Sequence, residues 1–284
     1  VELEKAPPVK KSIPFTLTRL PNIPRQFFVF ARANFIATFR NKTALMIHLM
    51  LAPVLALLFS MVSRHTPGNV YNFGINENIP QFLFIITVSA LLTGLTSGII
   101  AFKRGKGAME KDVLLHLSWF SFINAKIIFL GCISVIQVLL YVAISHWLLK
   151  INMVISLFLI LFSITITGNL IGMYLSSYPT STAYKYLLIN MVIFAQLLLG
   201  GTVIPYRNLA GDSNPRHVPI TGNLMPARWV YEALMVEQFK NNKYEKLFYE
   251  LEKTVREASF ITSVLIPRLL EITTMLRQNQ GQIL

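Results

Sequence analysis

Five apolar runs, each about as long as a bilayer is thick, occupy the first 204 residues and constrain the fold more than any other feature. They cover residues 44 to 63, 80 to 102, 122 to 147, 153 to 175 and 184 to 204. Each supplies the roughly 20 residues that a spanning helix needs at a rise of about 1.5 Å per residue. The only Lys, Arg, Asp or Glu side chains within them are Lys126 and Lys185. Both lie within about a turn of a segment end, where a long side chain is expected to snorkel to the headgroups rather than sit at the midplane. With 54% hydrophobic and only 14% charged residues, the chain is too apolar for a soluble domain of this size. The expected fold is an all-α integral membrane bundle of five spans. An amphipathic interfacial helix precedes the bundle, and an external helical segment follows it.

The net charge of +13 would suit a nucleic-acid binder, but its distribution points to a membrane. Eight basic residues precede the first run (Lys5, Lys10, Lys11, Arg19, Arg25, Arg32, Arg40, Lys42), and four lie between the second and third (Lys103, Arg104, Lys106, Lys111). The alternate loops hold only Arg64 and Lys150. The positive-inside rule therefore places the N-terminus in the cytoplasm and, after five spans, the C-terminus outside. Residues 205 to 284 carry ten basic and eight acidic residues, which does not overturn that orientation because long segments translocate largely regardless of charge. The single cysteine, Cys132, excludes an intrachain disulfide or a cysteine-rich metal site and is expected to be a packing residue.

Residues 1 to 23 have no apolar signal-peptide core and read as a Pro- and Lys-rich linker, the expected continuation of an upstream domain. The odd number of spans suggests a missing piece downstream as well. Residues 24 to 42 are aromatic and basic but too polar to span. On a helix, Phe27, Phe28, Ala31, Phe35 and Phe39 fall within about 120° of arc, and Arg25, Arg32 and Arg40 within about 80°. That pattern describes an interfacial helix, with Phe toward acyl chains and Arg toward phosphates or a partner. Between runs two and three, Lys103 to Gly107 reads as a turn and Lys111 to Phe122 as a brief amphipathic helix. Pro, Gly and Asn between Pro205 and Pro226 read as an external lid or re-entrant cap, followed by an amphipathic helix from Arg228.

Several motifs fall in a recognisable order. They are Lys111-Asp112, Leu117-Ser118, Ser121-Phe122 and Lys126, then Gly200-Gly201 and Ile204-Pro205, then GNLMPARWVYEALMVEQFKNNKYE from Gly222 to Glu245. Over residues 15 to 258 this order resembles the permease half of G-subfamily ABC exporters, especially bacterial forms with an ATPase domain ahead of the permease. The resemblance implies a dimer of permease halves in the bacterial inner membrane, around a path for an amphipathic or lipid-like compound. It also implies ATP and Mg bound on a nucleotide-binding domain, fused or separate. The chain itself has no GxxxxGK[ST] loop, and neither a catalytic residue nor a metal ligand is expected in it. Where the family usually has Arg-Glu this chain has Lys111-Asp112, after a shortened charged run, so Glu110 is an alternative to Asp112. The family's sixth span is not expected here, because Pro267, Arg268 and Glu271 interrupt the last apolar run.

Under that resemblance, Arg32 and Arg40 are expected to face Glu110, Lys111 and Asp112 where the ATPase couples. Thr87, Leu91, Asn190 and Phe194, on spans two and five, are expected to line the substrate path. Ser89, Thr93 and Ser97, with Gly94 and Gly98, read most simply as a close helix contact. Asn169 and Gln137 read as hydrogen bonders between helices. A passive anchor or scaffold subunit remains the main rival reading. A membrane enzyme lacks its usual motifs, since there is no HExxH and the five histidines are scattered, and no charged ring suggests a channel.

Overall fold

The computed structural model describes residues 22–65, 76–114, 118–204, 220–241 and 245–281. Every element among them is helical, so the amides inside each helix are satisfied within their own segment, as a bilayer requires. The helices are α1 (Ile23–Arg40), α2 (Lys42–Ser63), α3 (Ile79–Leu114), α4 (Trp119–Leu149), α5 (Val154–Ser177) and α6 (Thr182–Leu199). A short α7 (Ile220–Asn223), α8 (Pro226–Asn241), α9 (Glu245–Phe260), a π turn (Ile261–Leu265) and α10 (Ile266–Gly281) follow.

Local chemistry sets the boundaries. Asn41 ends α1 and caps α2, its side chain accepting from Ala44 N at 3.1 Å. Ser118 caps α4 by accepting from Ser121 N at 3.3 Å, and Ser181 caps α6 by accepting from Tyr184 N at 3.3 Å. Lys150 adopts the left-handed conformation that closes α4, with φ of 52°. The cap residue then turns the chain tightly into α5.

α3 is the axis of the bundle: 83% of its apolar window is buried. Its main partner is α5, and four glycines explain how closely the two approach. Gly94 and Gly98 face Thr165, Gly168 and Asn169, while Gly168 and Gly172 face the Leu91 and Leu95 carbonyls. A Cβ added at Gly168 would lie 2.6 Å from the Leu91 oxygen, closer than such atoms ever come. The two GxxxG patterns therefore let the helix backbones touch. α2 packs with a stripe of small or polar residues at every fourth position, Ala44, His48, Ala52, Ala56 and Ser60. His48 Nδ1 lies 3.0 Å from Ser97 Oγ, and Gln137 Nε2 donates to the His48 carbonyl at 2.7 Å and to Ser97 Oγ at 3.1 Å. One turn before Gln137 on α4, Ser134 Oγ accepts from Asn169 Nδ2 of α5 at 2.7 Å. Gln137 and Asn169 are thus interhelical bonders, as their sequence context suggests.

Several expectations need correction. The turn at Lys103 to Gly107 does not form, because α3 runs unbroken from Ile79 to Leu114. The brief helix from Lys111 to Phe122 is replaced by the end of α3 and a new helix starting at Trp119. Cys132 is exposed on α4 rather than packed. Among the described residues five helices are long and apolar enough to cross a membrane, but they differ from the five expected. Four coincide with the first four runs, while the fifth run is a shorter apolar helix, Ala183–Leu199. The remaining long one is Glu250–Leu276, within the continuous α9–π–α10 rod. Pro267 cannot donate to the carbonyl four residues back, and the π turn before it, closed by Ile266 N bonding to Ile261 O, absorbs the misfit. No part of that window is buried, so all its apolar side chains remain open to lipid or a partner.

Candidate functional site

The polar chemistry of the bundle concentrates where α1, α3 and α4 meet. α1 packs against the start of α4. Phe30 meets Phe122 edge-on with ring centroids 5.6 Å apart, and Phe35 meets Phe129 at 5.0 Å. Gln26 and Thr38 are buried on the same docked face, whereas Phe28 and Phe39 are exposed. Three polar links pin this face along α4. Gln26 Oε1 accepts from Ser118 N at 2.8 Å, Ser121 Oγ donates to the Ile23 carbonyl at 2.9 Å, and Lys126 Nζ donates to Asn34 Oδ1 at 3.1 Å. The Leu-Ser and Ser-Phe pairs of the sequence motif thus have a structural task, because both serines and Phe122 hold α1.

Lys126 does not snorkel. It is 2% exposed, and its ammonium also donates to the Ala101 carbonyl of α3 at 2.8 Å, with the Phe122 ring 5.2 Å away. One buried cation therefore ties α1, α3 and α4 together. Lys185 is buried too, donating to the Ser176 carbonyl at 2.7 Å and so satisfying an end group of α5. Ser176 Oγ in turn donates to the Ile99 carbonyl at 3.3 Å. Neither lysine reaches for headgroups, because neighbouring helices offer each of them carbonyl oxygens at contact distance.

Arg32 and Arg40 are exposed on α1. Glu110, Lys111 and Asp112 lie on the helical extension of α3, and their side chains fall outside the described residues. The extension carries them about 12 to 15 Å beyond Phe102 along the helix axis. The four residues expected on the substrate path separate into two pairs. Thr87 and Leu91 are fully enclosed in the α3 seam, the Thr87 hydroxyl bonding back to the Leu83 carbonyl at 2.8 Å. Asn190 and Phe194 stand on the exposed face of α6, in one stripe with Leu187, Met191 and Leu198.

At the other end of the bundle α8 docks on α3 and α5. Tyr231 meets Phe84 edge-on at 5.5 Å, and Gln196 of α6 accepts from Ala227 N at 3.0 Å. That bond caps α8 from a different helix, a role that spacing within α8 alone does not reveal. Partial burial pushes the Tyr231 phenol above its ordinary value, so it stays neutral. Arg228 bonds Asn223 and lies 3.6 Å from Glu232. The segment around Pro205 that was expected to form a lid lies largely outside the described residues, up to position 219.

Sequence reasoning missed the second half of the glycine contact, although GNLIG from Gly168 to Gly172 has the same spacing as Gly94 and Gly98. It also missed Gln26, Asn34 and Gln196, whose partners lie on distant helices.

A comparison with curated proteins returned no match. The family model for ABC-2 type transporters matches residues 25–239, from the start of α1 to the end of α8. That match covers the docked first helix, the glycine-packed bundle and the capped α8, so the chain belongs to the ABC-2 type transporter family as a membrane-embedded permease component.

Proposed function

We propose that the chain is the substrate-translocating half of an ATP-driven exporter, working as a pair with a second copy and coupled to a nucleotide-binding domain. Family membership supports the ATP-binding partner in general terms. The observation that carries the finer reading is Asn190. It is the polar residue of an otherwise apolar exposed stripe on α6, with no hydrogen-bond partner among the described residues. A carboxamide turned to lipid costs about 1 to 3 kcal/mol or more, whereas one facing a wet cavity does not. Asn190 and Phe194 are therefore the residues we assign to the substrate path. Thr87 and Leu91 join it only when the seam between α3 and α5 opens. A path with Leu, Met and Phe walls and one amide suits an amphipathic or lipid-like compound.

Coupling is proposed at the end of the bundle where α1 begins; the charge bias supports this end as the cytoplasmic one, and the family resemblance supports a bacterial inner membrane. Of the two arginines expected at this contact, we assign Arg32 rather than Arg40 as the partner of Glu110 or Asp112, the acids of the α3 extension, with Lys111 between them in sequence. A force on either element reaches the other through Lys126. The test is substrate-stimulated ATP hydrolysis by the full transporter carrying Glu110→Ala and Asp112→Ala, singly and together. A stimulation reduced at least severalfold, at normal membrane content, supports the assignment. Unchanged stimulation in the double variant rejects it.

A further inference from the structure

We propose that the elbow between α1 and α2 is a binding site for one anionic phospholipid, its phosphate held by Arg40 and Lys42. An open concavity of about 900 Å³ is lined by Ala33, Ile36, Ala37, Arg40, Asn41 and Lys42. Its lip carries only donors. Arg40 and Lys42 are exposed and make no ion pair among the described residues, where the two ion pairs present are Arg228–Glu232 and Arg256–Glu252. Asn41 uses its carbonyl oxygen to cap α2, which leaves its NH2 group for a ligand. The charge along this stretch of chain is of one sign, because the sequence holds no Asp or Glu between Lys5 and Asn76.

Its floor is apolar. Ala33 and Ala37 are a turn apart, and their short side chains leave a channel that Ile36 borders. Ile36 and Phe39 are exposed beside it, at 53% and 62%. Paired cations above an apolar channel match a phosphate joined to an acyl chain. They match an acidic protein surface less well, since that would leave the channel and the exposed Ile36 and Phe39 uncovered. Each basic residue near an anionic headgroup contributes about a fivefold preference, so two together give more than tenfold, weakening as salt shortens the screening length. The inference needs only membrane residence and does not depend on the coupling or substrate assignments.

The test uses the assembled transporter equilibrated with vesicles of equal parts phosphatidylglycerol and phosphatidylcholine. The lipids retained after extraction are then counted by native mass spectrometry. The expected result is a phosphatidylglycerol preference above tenfold at low salt. It should collapse in the Arg40→Gln/Lys42→Gln variant and survive in Arg25→Gln. Ala37→Leu, which fills the channel without touching a charge, should reduce retention of the lipid. Three results would overturn the proposal. They are no preference in the wild-type protein, an undiminished preference in the double variant, and equal displacement by chainless glycerol phosphate, which would mark a free-phosphate site.

Discussion

Lys126 shows how a single side chain changes meaning once its neighbours are placed. Near the end of an apolar run, a lysine ordinarily extends toward the headgroups. Here α1 folds back over that end of α4, and the ammonium finds Asn34 Oδ1 and the Ala101 carbonyl instead. Nothing in the local sequence announces this, because Asn34 lies 92 residues away. Hydrogen bonds to a charged group contribute about 1.5 to 3 kcal/mol each. Lys126→Met, which keeps an unbranched side chain one atom shorter and loses the donor, should therefore lower the thermal unfolding midpoint followed by tryptophan fluorescence in detergent. An unchanged midpoint would mean that aromatic packing alone holds α1.

The contact between α3 and α5 is decided at the level of whole elements. Half of it was legible: Gly94 and Gly98 on α3 declare a close approach, and the structure supplies one. The other half was equally readable in Gly168 and Gly172, but a glycine pattern does not name its partner helix. Gly168→Val should separate the helices at a cost of about 1 to 3 kcal/mol or more, giving low yields of monodisperse protein by size-exclusion chromatography. Gly131→Ala is the control, since its nearest neighbour would be Ile166 Cδ1 at 3.9 Å, and it should elute as the wild-type protein does. Boundaries were less legible than contacts. The basic, glycine-containing run at 103–107 resembles a turn, yet α3 continues through it to Leu114. Isolated glycines are tolerated inside an established helix at about 1 kcal/mol each. The last apolar run likewise read as interrupted by Pro267, Arg268 and Glu271, whereas a single π turn suffices to keep the helix continuous.

For the molecule as a whole, apolar periodicity and charge bias were enough to establish a helical membrane bundle, and motif order was enough for the family. The surroundings of the residues expected on a substrate path were not. Thr87 and Leu91 lie on the helix that the bundle encloses, and that enclosure is made by helices distant in sequence. α6, by contrast, keeps an open face bearing Asn190. The function proposed above makes a specific demand on that face: under alternating access it must be reached from opposite sides of the membrane in different nucleotide states. Asn190→Cys in a Cys132→Ser background, with the assembled transporter reconstituted in vesicles, allows this to be measured with a membrane-impermeant maleimide. The account expects labelling from the non-cytoplasmic side to accelerate about tenfold or more when a non-hydrolysable ATP analogue is bound. Equal rates with and without nucleotide would contradict it.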